Sequence, residues 1–302
     1  MELWIPITIA AAFSQNLRSA LQKYLKGKIG TTGATFIRFG FGFPIAVLYL
    51  ALILRLTGEG IPGVGTAFYW AAVLGGLAQI IATFLLVHLF SFRNFAVGTA
   101  YSKTEPVQAA LFGFILLGER LTPLGMGALA LGIIGVLFIS FGKQRPSRAV
   151  VLSSLVGKPA LIGLASAAFF GASAAFYRTA SLSVEADSFL LQAAFTLVCV
   201  TAFQTVVMAS WMSVKCPSEL RAAFVNWRLS ALVGLAGIAG SIGWFTAMTL
   251  QQVAYVRALA QIELVFTLAA SWMFFREKIT PVELAGCVLV ALAGVGIVIA
   301  AS

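Results

Sequence analysis

Glu119-Arg120-Leu121-Thr122-Pro123 and Glu277-Lys278-Ile279-Thr280-Pro281 are one string written twice, 158 residues apart. The same shift lays Gly76-Leu77-Ala78 on Gly234-Leu235-Ala236, Ala96 on Ala254, Ala100 on Ala258, Glu105 on Glu263 and Val107 on Val265, without a gap. Small apolar residues match by chance easily. A Glu inside an apolar run and a polar E-[RK]-[LI]-T-P string do not match so readily in one register. The chain is read as an internal duplication, 1–145 and 146–302.

The medium follows from composition. The chain of 302 residues is 60% hydrophobic and 10% charged, whereas soluble domains carry about 25% charged residues. Such a chain lacks the polar surface to face water on all sides, so its solvent is lipid. Loop signals divide it into ten apolar segments near the ~20 residues that span a bilayer core. These are 3–25, 31–54, 66–91, 95–117, 122–142, 159–182, 187–211, 228–251, 255–275 and 280–300. Backbone groups in lipid must be satisfied within the segment, and continuous apolar runs exclude the period-two alternation of a barrel. The expected fold is an all-α polytopic membrane protein of ten helices. Run 3–22 has Glu2 in place of a basic leader and contains Ser14, Gln15, Asn16 and Arg18, so it reads as a retained span.

Five spans per repeat is an odd number, so the second copy enters from the opposite face. That inverted arrangement suits two conformations, each open to one side. The net charge of +10 does not indicate nucleic acid, because the basic residues cluster in short loops. Lys23, Lys26, Lys28, Arg93, Lys143, Arg145, Arg148, Lys158, Lys215, Arg221, Arg228, Arg276 and Lys278 fall after spans 1, 3, 5, 7 and 9. Arg55 and Arg120 fall on the other side. The positive-inside rule then makes the first set cytoplasmic, in a cell inner membrane, with both termini outside.

From Glu105-Pro106-Val107 through Gly118-Glu119-Arg120-Leu121-Thr122-Pro123 to Gly127, Gly132 and Gly135, the chain resembles the drug/metabolite transporter superfamily, EamA type. The resemblance covers both copies. It implies ten helices around a central cavity, and carriage of amino acids, nucleotide precursors or other small metabolites, often as export. The second copy departs from the pattern, with Glu263-Leu264 where the first has Glu105-Pro106. Relatives of this type are usually drawn with cytoplasmic termini, against the charge count above.

Charges inside spans are expensive and point to partners, water or substrate. Glu105 and Glu263 occupy equivalent spans and are expected to line a cavity, binding a cationic group or a proton. A permanent interhelical salt bridge is the plain alternative. Lys103 points about 200° away from Glu105 on one helix, and Arg257 lies six residues from Glu263, so partners must come from other helices. Arg18 is one candidate. Arg38, Arg178 and Arg257 lie near span ends and could snorkel to headgroups. Gln15, Asn16 and Arg18 form a polar cluster, with Gln22 one turn on, suited to a carboxylate or carbonyl. Gln79, Gln192, Gln261, Tyr101, Tyr177 and Trp244 are secondary candidates, the rings offering stacking or cation–π contact.

His88 alone, and Cys199, Cys216 and Cys287 without a C-x-x-C pair, give no metal or redox centre. No cofactor is expected, and no phosphate-binding G-x-x-x-x-G-K-[ST] loop is present. The reading is a secondary transporter, a monomer or homodimer in lipid. It moves a small polar metabolite (amino acid, amine or nucleoside-like) by alternating access, as export, with proton coupling through the buried acids. A passive channel and an intramembrane enzyme on a lipid-linked substrate are the alternatives.

Overall fold

The computed structural model describes residues 2–92, 101–141, 157–266, 268–269 and 280–301. The protein is an all-α polytopic membrane protein. Among the described residues six helices are long and apolar enough to cross a bilayer, and two shorter apolar helices accompany them.

The first helical stretch, α1 (Trp4–Gly40), is too long for one crossing, and it reverses at Gly30. Gly30 has φ 75° and ψ 178°, a left-handed φ that glycine adopts without penalty. Gln22 on the incoming arm then donates to the Ala34 carbonyl on the outgoing arm at 2.7 Å. Twelve residues of straight helix would hold those groups ~18 Å apart. The spans read from sequence, 3–25 and 31–54, leave the connection at 26–30; the corner is at its last residue, and Lys26-Gly27-Lys28 stay helical. A Glu219 carboxylate fixes the true corner. It accepts from the Gly33 N–H at 2.8 Å and lies where a Cβ on Gly30 would stand. Glu219 belongs to α8 (Pro217–Val225), a short helix in a stretch that the sequence reads as a loop.

Outgoing chain continues through a break at Phe41-Gly42 into α2 (Phe43–Thr57), where Pro44 withholds an amide from the helical ladder. Then follow β1 (Gly63–Val64), α3 (Thr66–Leu89), α4 (Glu105–Leu117), α5 (Pro123–Phe141), α6 (Lys158–Leu182), β2 (Val184–Glu185) and α7 (Phe189–Lys215). After α8 come α9 (Trp227–Leu250), α10 (Val253–Leu259), a 3-10 turn at Ala260–Ile262, and α11 (Pro281–Ala301). The string Lys143 to Arg148, Arg93, and Arg276 to Ile279 lie outside the described residues.

Element starts repeat the sequence shift. Pro123 opens α5 and Pro281 opens α11; α7 occupies 189–215, and 31–57 is the outgoing arm of α1 with α2. Packing runs between the halves: α1 against α9, α3 against α6, α2 against α7, α4 against α10 and α5 against α11. The two short strands pair antiparallel, Gly63 opposite Glu185, and tie the connection before α3 to the one after α6.

Two expected continuous spans are broken near their middle. In 95–117 the helix is interrupted at Lys103-Thr104, and α4 starts afresh at Glu105. Pro106 explains it, because a proline inside a helix removes one hydrogen bond and clashes one turn back. In 255–275 the copy without proline only tightens into the 3-10 turn before Glu263.

Seams use glycine where backbones meet. A Cβ on Gly135 would lie 2.8 Å from the Gly286 carbonyl oxygen, and one on Gly286 would lie 2.7 Å from that of Gly135. Gly135→Leu or Gly286→Leu must therefore part α5 from α11. Each should cost about 1–3 kcal/mol, the usual penalty of overpacking, read as a lowered thermal midpoint in detergent. Gly127→Ala, where nothing lies within 4 Å, should leave the midpoint unchanged or slightly raised.

Candidate functional site

The two breaks face each other and bring the buried charges together. Lys103, at the first break, pairs with Glu263 of the second half. Glu105, opening α4, pairs with Arg257 of α10 at 3.1 Å. Each half thus supplies one acid and one base, and both pairs cross from half to half. Pairing at a break is physically apt. Glu105 lies in the first turn of its helix, where free amides favour an anion.

The first helix completes one wall. Gln15 donates to the Glu263 carboxylate at 3.2 Å and accepts from Trp244 Nε1 at 3.0 Å. Asn16 donates to the Glu263 carbonyl at 3.2 Å. The Arg257 guanidinium lies 4.8 Å from the centre of the Trp244 ring, a cation–π contact that partly offsets its burial. These groups surround a cavity of about 300 Å³, the lower end of the range for small-molecule sites. Its charged and amide lining is Gln15, Asn16, Arg18, Lys23, Lys103, Glu105, Arg257 and Glu263, with Phe170, Leu86, Phe90 and Leu264 supplying apolar surface.

Lys23 and Phe90 set its direction. Both lie toward the end where α1 reverses and α3 stops, so the cavity opens on the Gly30 side. The opposite end, which carries the β1–β2 ladder, is pinned. Arg178 pairs with Glu119 at 2.5 Å and donates to the carbonyls of Met248, Thr249 (3.2 Å) and Gln251 (2.7 Å). Glu119 also accepts from the Val253 N–H at 3.2 Å. One arginine thereby clasps the ends of α6 and α9, the start of α10 and the 118–122 connection. Burial holds the Glu119 carboxyl above the ordinary carboxylate range, with Arg178 pulling the other way.

The remaining candidates scatter. Arg178 belongs to this clasp, 20-odd residues along α6 from its start, and neither it nor Arg38 nor Arg257 snorkels. Arg38 is buried and donates to Thr83 at 3.0 Å. Gln79 and Tyr177 meet at 2.7 Å in a buried triad with Gln204, away from the cavity. Gln192 donates to the Val184 and Ala186 carbonyls and so tethers the β2 connection. Gln261 packs against Gly132 of α5, and Tyr101 lies half-buried outside the cavity lining. His88 is stacked against Phe84 and edge-on to Phe92.

Sequence reasoning missed Ser102 and Lys23 in the lining, and Gln204 in the triad. It did not see that Lys103 and Arg257 are the partners of the two acids. The signal was the repeat itself: opposed copies of one span bring their breaks together, so bases near either glutamate are candidates for the other.

Residues 2–141 match the EamA-like transporter family. Relatives of the whole chain include the "Pseudopaline exporter CntI" of two strains of Pseudomonas aeruginosa, each 23% identical over 289 residues, covering 95% of this chain and 93% of theirs. A solved crystal structure shares the fold at TM-score 0.68 with 16% identity, covering 98% of this chain and 96% of its own. The protein is a membrane transporter, not an enzyme, and the match over residues 2–141 makes it similar to the EamA-type transporters of the drug/metabolite transporter superfamily.

Proposed function

We propose that the protein is a secondary transporter that exports a small polar metabolite by alternating access, with the charged cavity as its substrate site. The observation that carries this reading is the pair of ion pairs crossing between the halves at the cavity floor. A charged substrate that takes one partner of a pair loosens the contact between the halves. Binding is thereby linked to their relative movement. The substrate is an amino-acid-like, amine or nucleoside-like molecule by size and polarity.

Several features support ten spans in two inverted units, 1–145 and 146–302. The paired strands bring residues 63–64 beside 184–185. The chain between them runs through α3, the segment ending in α4, α5 and α6; four crossings return it to the same face. Five crossings per copy then invert the second. The swapped partnership of α1 with α9 and of α3 with α6 is what a two-fold relating the copies produces.

By the positive-inside count the Gly30 end is cytoplasmic, so the cavity is open to the cytoplasm of an inner-membrane protein and loads from there. A passive channel would need both ends open at once, and here the Arg178–Glu119 clasp closes one. Either acid could carry a proton when its base is drawn to the substrate, which would couple export to the proton gradient. One chain holds both halves of the site, so a monomer suffices and a homodimer adds no lining.

Two outcomes follow in proteoliposomes. Glu105→Gln and Glu263→Gln should each lower flux at least about tenfold, the effect of ~1.4 kcal/mol. Exchanging a pair, Lys103→Glu with Glu263→Lys, should restore most of the thermal midpoint lost in either single variant, while flux stays low. Recovery of flux along with the midpoint would make the pair a structural clasp. Separately, in a background lacking Cys199, Cys216 and Cys287, Glu119→Cys with Arg178→Cys bridged by a short bifunctional thiol reagent should abolish transport. Cleaving the bridge should restore it. Undiminished flux in the bridged protein would show that this end does not open.

A further inference from the structure

We infer that the species carried is an organic anion, and that Arg18 takes its carboxylate. This rests on the transport reading above and narrows its substrate class.

The cavity lining carries four bases, Arg18, Lys23, Lys103 and Arg257, against two acids, Glu105 and Glu263. Lys23 is exposed at the mouth, and the three deeper bases against two acids leave a formal surplus of +1. Two of the bases are neutralised by the crossing pairs. Arg18 is not. It makes no ion pair among the described residues, its Nε has no hydrogen-bond partner there, and its Nη2 reaches only Ser19 Oγ, at a long 3.4 Å. Yet the residue is 3% exposed. Behind it stands a second buried cation, Arg38, whose stem shares the gap left by Gly237.

An ionised group this deep in a membrane protein needs a counter-charge. Guanidinium has a planar fork of donors that matches a carboxylate with two parallel hydrogen bonds. Arg18 lines the cavity with that fork unfilled, and its stem is held against α9, so little freedom is lost on binding. An amine without an acid group would add to the surplus and leave Arg18 unmet. A carboxylate removes the surplus and fills the fork. Any cationic centre on the same molecule would lie toward Glu105 or Glu263, across the cavity. Net negative charge is therefore the expected selectivity.

Thermal unfolding of the purified full chain tests this, in neutral detergent at constant ionic strength. The probes are glutarate, glutamate and citrate at millimolar concentration, with glutaramide as the uncharged match and cadaverine as the cation. Ligands that bind the folded state raise the midpoint by mass action. At least one acid should raise it, while glutaramide and cadaverine should not; this comparison uses the wild-type chain and needs no variant. Arg18→Gln should weaken apparent affinity for that acid at least tenfold. Arg18→Lys, which keeps the charge and loses the fork, should fall between.

Three results would overturn the inference: no acid shifts the midpoint, cadaverine shifts it alone, or an acid shifts wild type and Arg18→Gln alike. Counterflow in phosphatidylcholine vesicles separates this failure from that of the transport reading. Flux of cadaverine without flux of acids keeps the transporter and removes the anion site. An acid that binds through Arg18 but is never carried keeps the site and removes transport.

Discussion

Everything at the centre of this molecule follows from the cost of holding charge away from water. A lone carboxylate or guanidinium in a low-dielectric interior loses several kcal/mol of hydration. Lys103, Glu105, Arg257 and Glu263 recover that loss by pairing, and the geometry of pairing dictates the rest. On a single helix the four are badly spaced for one another. Two helices set against each other, the first interrupted just before Glu105 and the second tightened just before Glu263, let each acid reach the other half's base. Pro106 makes the first break; Gln15, Asn16 and Trp244 satisfy the second. The polar cluster on α1 thus serves as a lining for the pairs.

Such close opposition needs thin walls. Along α9, Gly234, Gly237, Gly240 and Gly243 face α1 and Phe41, and the arginine stems run through the space at Gly237. Gly171 of α6 lies with its absent Cβ 2.8 Å from the Ala109 amide nitrogen of α4. Lipid gives no hydrophobic drive for helix association, so dispersion between closely packed backbones and buried polar contacts do that work. Glycine that is costly in an isolated helix is here the residue that lets charged side chains share a narrow core.

Much of this was legible before any coordinates. The duplicated string and the paired glutamates singled out the two spans that carry the charges, read there as continuous helices, and the loop chemistry located most helix ends. Three things were not. Gly30 is one glycine among 29, and what singles it out is a carboxylate from Glu219, nearly 190 positions on, which local patterning cannot register. Arg178 read as a span-end residue free to reach headgroups, because its partner Glu119 sits in a loop that looked exposed. Gln79 and Tyr177 looked like cavity groups, since a polar atom in an apolar run does not say whether it faces water, substrate or another side chain. Here Gln204 absorbs both.

Divergence between the copies bears on which way the transporter rests. Glu119 has its repeat counterpart in Glu277, but the position equivalent to Arg178 is Ala20. Ala20 lines the cavity. Under the proposed inversion, the two ends of the molecule are therefore chemically unequal. One carries a guanidinium bound to a carboxylate and three backbone carbonyls, while at the other the same place is a methyl group bordering open space. On the proposed alternating-access reading, symmetry of fold makes both states reachable, and asymmetry of this one pair would bias the empty protein toward the state open at the Gly30 end. A carrier that loads on that side needs this bias, because the vacant site must return there before the next substrate arrives.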